Sequence, residues 1–188
     1  MNIRVLGITA KANNGKDLLF KLLSKKIPNI RRFALADLLK NDLYQSIFNE
    51  YGINVFSCSR QDKELIRPKL VSFGEEMRDK TNGRYWIDRL TVKINKFLSE
   101  SDGIACITDI RYENEASWLK EELGGILVHI KRYELSDGKK IYLAPPNDSE
   151  KNNDPILAKL ANYRIEWPTL PREELEIYAD ELLKYVNR

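Results

Sequence analysis

The sequence predicts an α/β fold in three layers, with a parallel sheet between two layers of helices. Short β-branched apolar runs alternate along the chain with segments whose apolar residues recur at helical spacing. Alternation of this kind is typical of a parallel sheet that is covered on both faces. The chain has 188 residues, of which 43% are hydrophobic, so it can bury a substantial core. We therefore expect a single domain over residues 1–188.

The first quarter of the chain predicts two strand–helix pairs. Residues 3–9 form a β-branched apolar run, and residues 17–27 carry leucines at helical spacing. A second short strand is predicted over 31–35. It runs into a helix over 36–51, for which Gly52 is the stop signal.

Two further helices are predicted before the next strand. Residues 53–61 are typical of a loop. Asp62 is the expected cap of a helix that extends to residue 80, and Pro68 is expected to interrupt it. Residues 85–98 again show an amphipathic helical pattern.

The third part of the chain returns to strands. Residues 103–108 are continuously apolar, which predicts a central strand. A helix over 113–123 follows and ends at the glycines of 124–125. Residues 126–130 are the next predicted strand.

Residues 133–155 differ from the rest of the chain, because they are polar and rich in Pro, Asn and Asp. We expect an irregular segment here, and a long irregular segment in a compact domain is often a mobile lid. A short last strand over 163–167 and an amphipathic helix over 173–186 complete the prediction.

The bulk composition argues against two classes of partner. The formal net charge is +3, with Lys and Arg spread along the chain, which is too weakly basic to predict nucleic-acid binding. No apolar run approaches the roughly 20 residues of a membrane span, and the start lacks the apolar region of a signal peptide. Cys58 and Cys106 are predicted to be free thiols. We therefore expect a cytoplasmic protein.

The stretch between the first strand and its helix is similar to a phosphate-binding loop. In the usual pattern, G-x-x-x-x-G-K-[ST], backbone N–H groups cradle phosphates and the Lys reaches the β- and γ-phosphates. Gly15 and Lys16 match, whereas Ala10 replaces the first Gly and Asp17 replaces the hydroxyl residue. A helix N-terminus favours anions through its unpaired N–H groups and its dipole. The alternative is an ordinary strand-to-helix turn in which Asp17 only stabilises the helix start.

Polar candidates follow three of the predicted strands. The loop comes after Thr9, Asp109 follows Thr108, and Arg132 comes shortly after Ile130. Ligands of open α/β sheets bind beyond the carboxyl ends of the strands. The sequence therefore predicts a ligand site at this edge.

Several segments, in the same order, resemble the phage deoxynucleoside monophosphate kinase family, which is related to phosphomevalonate kinases of the P-loop class. That family's phosphate loop ends in Gly-Lys-Asp, as residues 15–17 do. The other matching segments are Phe-Ala-Leu-Ala-Asp-Leu-Leu-Lys at 33–40, Phe-Gly-Glu-Glu-Met-Arg at 73–78, Tyr-Trp-Ile at 85–87, Thr-Asp-Ile-Arg-Tyr-Glu-Asn-Glu at 108–115 and Ala-Asn-Tyr-Arg-Ile-Glu at 161–166. The family's lid usually carries a His before a Ser-Glu pair, and residues 147–150 contain no His.

The resemblance implies a P-loop kinase fold with a lid at about 133–155. It also implies transfer of a phosphoryl group from ATP, with Mg²⁺, to a (deoxy)nucleoside monophosphate. The implied donor-site residues are Lys11, Asn13, Asn14, Gly15, Lys16 and Asp17. Asp109 and Asp17 are the expected metal ligands, because Mg²⁺ commonly uses one or two carboxylates and keeps several waters. The expected catalytic residues are Lys16, Asp109, Arg111 and Arg132, the last of which neutralises the moving phosphoryl group when the lid closes.

The expected acceptor-site residues are Asp37, Lys40, Arg78, Tyr85, Trp86 and Arg111. Arg78 and Arg111 are candidates for clamping the acceptor phosphate, since a guanidinium matches phosphate oxygens bidentately. Surface ion pairs for the charged residues and core packing for the two aromatic residues are the alternatives. His129 lies in an apolar strand and is expected to be structural.

Two other functions stay open from the sequence. One is a P-loop kinase for another small phosphorylated acceptor such as phosphomevalonate, and the other is a nucleotide-binding protein without catalysis. The family also implies a possible homodimer.

Overall fold

A computed structural model describes residues 3–186. Within them the chain forms two compact units. The first unit contains the described residues up to Phe33 and from Asn95 onward, and the second contains Ala34–Ile94.

The first unit is built on a mostly parallel sheet. Its strands are β1 Val5–Thr9, β2 Ile30–Phe33, β3 Ile104–Ile107, β4 Ile126–Ser136, β5 Lys139–Tyr142 and β6 Tyr163–Pro168. The order β2-β3-β1-β4 is parallel throughout, and β6 pairs in parallel with β4. Only β5 is antiparallel, and it pairs with the far end of β4. The predicted strand at 103–108 is an interior strand, but β1 occupies the centre of the sheet.

The helices of the chain are α1 Lys16–Ser24, α2 Leu35–Tyr51, α3 Arg60–Lys80, α4 Tyr85–Glu100, α5 Glu113–Ser117, α6 Asp148–Leu160 and α7 Glu176–Val186. A π-helical turn, Trp118–Glu122, continues α5, and a 3-10 turn, Arg172–Leu175, precedes α7. Within residues 3–186, none of these helices is long and apolar enough to cross a membrane.

Helices cover both faces of the sheet, which confirms the predicted three-layer fold. On one face, apolar residues of β1 such as Leu6 and Ile8 pack with α1 and α7 in one buried cluster. On the other face, Gly7 lies against Leu119 of the π-helical turn. A Cβ at Gly7 would lie 2.2 Å from Leu119 Cδ2, so this close approach of strand and helix requires glycine.

The second unit is helical, and α2 and α3 pack around a cluster of buried aliphatic residues. Gly52 ends α2 with a positive φ of 66°, as the sequence predicts. Two details were wrong. Ser59, not Asp62, is the N-cap of α3, and Asp62 is its capping-box partner. Pro68 lies inside α3 without ending it.

The expectation of an irregular segment over 133–155 was also wrong. β4 continues to Ser136, and a tight turn at Asp137 and Gly138, with φ values of 51° and 73°, leads into β5. Two consecutive positive φ values are what a type I′ hairpin needs, and Asp-Gly is among its preferred sequences. The Asn147 side chain then accepts the N–H of Glu150 at 2.8 Å and starts α6. Polar composition in this segment therefore marks an exposed hairpin and helix.

Candidate phosphate-binding site

The loop between β1 and α1 has the backbone of a tight strand-to-helix turn. Asn13 and Gly15 have positive φ values, of 62° and 96°, and Gly15 is the N-cap of α1. A Cβ at Gly15 would lie 2.4 Å from Cζ2 of Trp167. Glycine is therefore required here by both the backbone and the packing. Ala10 is buried in the core and is not among the residues with positive φ, so its methyl group is accommodated where the usual pattern has glycine.

Asn14 is the internal anchor of this loop. It is 1% exposed, and its Oδ1 accepts the N–H of Arg132 in β4 at 2.7 Å. Its Nδ2 donates to the Ala12 carbonyl at 3.0 Å, and its own carbonyl accepts from Trp167 Nε1 at 3.0 Å. These bonds tie the loop to β4 and β6. Sequence reasoning expected only backbone donation from Asn14 and did not predict Trp167.

Lys16 begins α1 and points back over the loop. Its Nζ donates to the carbonyl oxygens of Ala10 at 2.7 Å and Lys11 at 3.2 Å. Burial lowers the pKa of Lys16 from its ordinary value, and the positive charge of Arg111 lowers it further. The nearby carboxylates of Glu150, Asp17 and Asp109 act in the opposite direction. Lys16 is therefore a partly desolvated ammonium group among charges of both signs.

Asp109 and Arg111 lie two and four residues after the end of β3, and their charges act on Lys16. Asp109 is 9% exposed, whereas Arg111 is exposed. Glu115 Oε2 accepts the backbone N–H groups of Arg111 at 2.7 Å and Tyr112 at 3.1 Å, which holds the start of α5. The structure therefore brings Lys16, Asp109 and Arg111 together at the carboxyl ends of β1 and β3.

A second segment closes onto the loop. Glu150 Oε2 accepts the backbone N–H of Ala12 at 2.7 Å, and Lys11 Nζ donates to the Leu143 carbonyl at 2.6 Å. Sequence reasoning did not single out Glu150. The Asn147-x-x-Glu150 spacing of a helix start was the available signal, but it does not name the partner of the carboxylate.

Arg132 was expected just past the end of a strand, and this was wrong. It lies inside β4, opposite Trp167 of β6, because β4 continues to Ser136. Its backbone N–H is bound by Asn14, and its Nε donates to Thr169 Oγ1 at 2.9 Å.

The expected acceptor residues other than Arg111 lie in the second unit. Asp37 and Lys40 are half-buried in the first turns of α2, and Lys40 Nζ lies 5.8 Å from the centre of the Phe56 ring. Arg78 is half-buried near the end of α3. Whether these residues bind a ligand stays a prediction.

Tyr85 and Trp86 form the first turn of α4, in the second unit as well. Trp86 is 5% exposed and packs edge-on against Tyr85 and Phe73, while the Arg89 guanidinium lies over the Tyr85 and Trp86 rings. Packing of this kind favours a core role for Trp86 over a wall of a base pocket.

His129 lies in β4 beside Thr9 of β1 and is 1% exposed. Its Nε2 is 2.9 Å from Asp154 Oδ1 in α6, so the partner expected of a structural histidine is present. Cys58 and Cys106 are free thiols, as predicted, and burial raises the pKa of Cys106.

The loop fits an anionic oxygen ligand, because one of its N–H groups already binds a carboxylate oxygen and Lys16 lies beside it. Asp17, exposed in the first turn of α1, and buried Asp109 supply the hard oxygen donors that Mg²⁺ prefers. Across residues 3–186 no three His, Cys, Asp or Glu residues form a cluster that could hold a metal ion. A metal held here would therefore need water or ligand oxygens in addition.

No protein-family model matches the chain, and no curated protein matches its sequence. Membership of the phage family stays a prediction. Solved structures do match. Dephospho-CoA kinase from Campylobacter jejuni has a TM-score of 0.54 and 12% identity, over 97% of this chain and 96% of that chain. Shikimate kinase from Aquifex aeolicus has a TM-score of 0.46 and 17% identity, over 96% of each chain. The likeness to the dephospho-CoA kinase shows that the chain has a P-loop kinase fold.

Proposed function

We propose that this chain is a phosphotransferase that moves the γ-phosphoryl group of ATP onto a nucleoside monophosphate, with a deoxynucleoside monophosphate as the first choice. The observation that carries the proposal is that the charges of Asp109 and Arg111 act on Lys16 beside a loop in which the Ala12 N–H already donates to a carboxylate oxygen. The likeness in fold to a dephospho-CoA kinase supports a kinase, and the resemblance of residues 33–40 and 73–78 to the phage family supports the acceptor class.

In the proposed reaction an oxygen of the acceptor phosphate attacks the γ-phosphorus, and the bond from the γ-phosphorus to the bridging oxygen breaks to release ADP. Such transfer is mostly positioning and electrostatic stabilisation. The loop N–H groups and Lys16 would hold the β- and γ-phosphates, and Arg111 would place the acceptor phosphate and share the charge. Mg²⁺ held by Asp109 and Asp17 would neutralise phosphate charge. Low hydration of Lys16 strengthens its interaction with phosphate.

The experiment is an ADP-release assay with ATP and Mg²⁺. The acceptors are dAMP, dGMP, dCMP, dTMP, hydroxymethylated dCMP, the ribonucleotides, phosphomevalonate and dephospho-CoA. We expect turnover with at least one monophosphate. Lys16→Ala should lower kcat/KM by about 10²–10³-fold. Lys21→Ala is the matched control, since Lys21 is exposed in the last turn of the same helix, and it should behave as wild type.

A kinase for another small phosphorylated acceptor is the second candidate, favoured by the fold likeness to dephospho-CoA kinase. Turnover with phosphomevalonate or dephospho-CoA alone would select it. ATP binding without turnover on any acceptor would leave a nucleotide-binding protein and reject both kinase proposals.

A further inference from the structure

One face of α6 lies against the phosphate loop. The residues of this face are three or four positions apart along the helix, so they share one side of it. They line a crevice together with the loop and the segment after β3. The crevice residues are Thr9, Ala10, Lys11, Ile110, Arg111, Glu150, Asn153, Asp154 and Leu157. The helix therefore presents three oxygen-bearing side chains to a crevice that Lys11 of the loop also lines.

Glu150 makes the closest link between this face and the loop. Its Oε2 accepts the Ala12 N–H at 2.7 Å, and it is half-buried. Among the carboxylates that raise the pKa of Lys16, Glu150 has a larger effect than Asp17 or Asp109. One carboxylate thus binds a loop N–H and, of the three carboxylates that raise the pKa of Lys16, has the largest effect.

A carboxylate oxygen and a phosphate oxygen bind the same kinds of partner. Both accept charge-assisted hydrogen bonds from backbone N–H groups, and both are attracted to an ammonium group at a helix N-terminus. The Ala12 N–H can donate a strong hydrogen bond to only one oxygen at a time. Glu150 and a bound phosphate therefore exclude each other at this position.

The middle of α6 is bound to the sheet by a contact of its own. Asp154, one turn beyond Glu150, binds His129 in the sheet. Because that bond does not involve the loop, Glu150 can leave Ala12 by rotation of its own side chain while α6 stays on the sheet.

We propose that Glu150 is a built-in competitor of the donor phosphates, which occupies the phosphate loop when no nucleotide is bound and must be displaced for binding. This inference rests on the proposed function of the loop. If the Glu150-bound state holds about nine-tenths of the population, the apparent affinity for a phosphate ligand is about tenfold below the intrinsic affinity.

The test is calorimetric titration of the full chain with tripolyphosphate in the absence of Mg²⁺. This probe needs only the phosphate site, without acceptor or turnover. Glu150→Gln keeps the size and the acceptor oxygen but removes the charge, and it should bind tripolyphosphate about tenfold more tightly than wild type. Asp148→Asn is the matched control, because Asp148 is exposed in the first turn of the same helix. It should stay within about twofold of wild type.

Unchanged or weaker binding by Glu150→Gln would overturn the proposal, as would equal tightening in both variants or no binding by any of them. If Glu150→Gln does not fold, Glu150→Asp replaces it, since its shorter side chain keeps the charge but draws the carboxylate away from Ala12. It should also bind more tightly. Tighter binding without kinase turnover would keep this inference and reject the kinase. Turnover with unchanged tripolyphosphate affinity in Glu150→Gln would do the reverse.

Discussion

At the scale of single residues, Gly15 is the position where backbone and packing constraints coincide. Gly15→Ala should lower the free energy of unfolding for two separate reasons, which are the positive φ of 96° and a new Cβ 2.4 Å from the buried Trp167 ring. The backbone cost is about 1–2 kcal/mol and overpacking adds about 1–3 kcal/mol. Urea unfolding should therefore show a loss of about 2–5 kcal/mol.

Gly124→Ala separates the two costs. Gly124 has a φ of 59°, and nothing lies within 4 Å of an added Cβ, so only the backbone cost of about 1–2 kcal/mol applies. Equal losses in the two variants would show that Trp167 yields to the new methyl group and does not fix the loop.

How well the features of the site could be predicted depends on how far apart along the chain the contacting residues are. The turn that Gly15 and Lys16 form at the start of α1 could be located from the sequence, because the spacing within one loop is the signal, and its phosphate binding stays a prediction. The side-chain role of Asn14 could not be predicted, because its partner Arg132 is 118 positions away. Glu150 contacts the loop across 138 positions. Contacts of this kind depend on tertiary packing, which no local pattern encodes.

At the scale of elements, apolar runs predicted the buried strands well, while β4 and β5 were missed where they leave the core. The burial of β4 changes from buried to exposed along its length, so its outer half carries no apolar signal. The Asp137-Gly138 pair was the available sign of the hairpin. Pro68 was misread because a proline inside a helix costs stability without always ending it, and the rest of α3 outweighs that cost.

The bond between His129 and Asp154 links β4 to α6, and it gives a pH prediction. Burial by itself raises the pKa of Asp154. The hydrogen bond and charge of His129, together with the charges of Lys11 and Lys131, outweigh burial, so the pKa lies below its ordinary value of 3.8. A lowered folded pKa means that this stabilisation is complete above the unfolded pKa of Asp154. It is lost as the pH falls through the folded value.

Asp154→Asn should therefore lower the free energy of unfolding by about 1 kcal/mol at pH 7, since it keeps an acceptor oxygen for His129 but removes the charge that strengthens the hydrogen bond. The difference from wild type should shrink below pH 3.8. Denaturant unfolding at several pH values measures it, with Asp148→Asn as the exposed control on the same helix. A loss that persists unchanged in acid would mean that the Asp154 charge contributes nothing to the link.

At the scale of the whole molecule, the fold class follows from the order of elements, and the division into two units does not. Strand–helix alternation predicts the layered sheet of the first unit. The helices of Ala34–Ile94 read as ordinary members of the same alternation, yet they pack around their own buried cluster. A buried cluster depends on which apolar helix faces pack together, and the helical period alone does not predict that pairing.

The last prediction concerns the two sets of residues proposed to bind the donor and the acceptor. The proposed donor residues, with Lys16, lie in the first unit, and the proposed acceptor residues include Arg78 in the second. A ligand at about 100 times its Kd stabilises the folded chain by about 2.7 kcal/mol. For a chain of this size that should raise the Tm by roughly 5–10 °C. We expect such shifts with a non-hydrolysable ATP analogue and, separately, with the accepted deoxynucleoside monophosphate.

Lys16→Ala should abolish the shift with the ATP analogue and keep the shift with the monophosphate, and Arg78→Ala should do the opposite. The crossed pattern is the informative result, because a variant that is merely destabilised lowers the Tm without ligand but keeps both shifts. Loss of both shifts in Lys16→Ala would place donor and acceptor phosphates at one site beside the loop. Arg78 would then have no part in binding, and Arg111 would be left as the arginine that holds the acceptor.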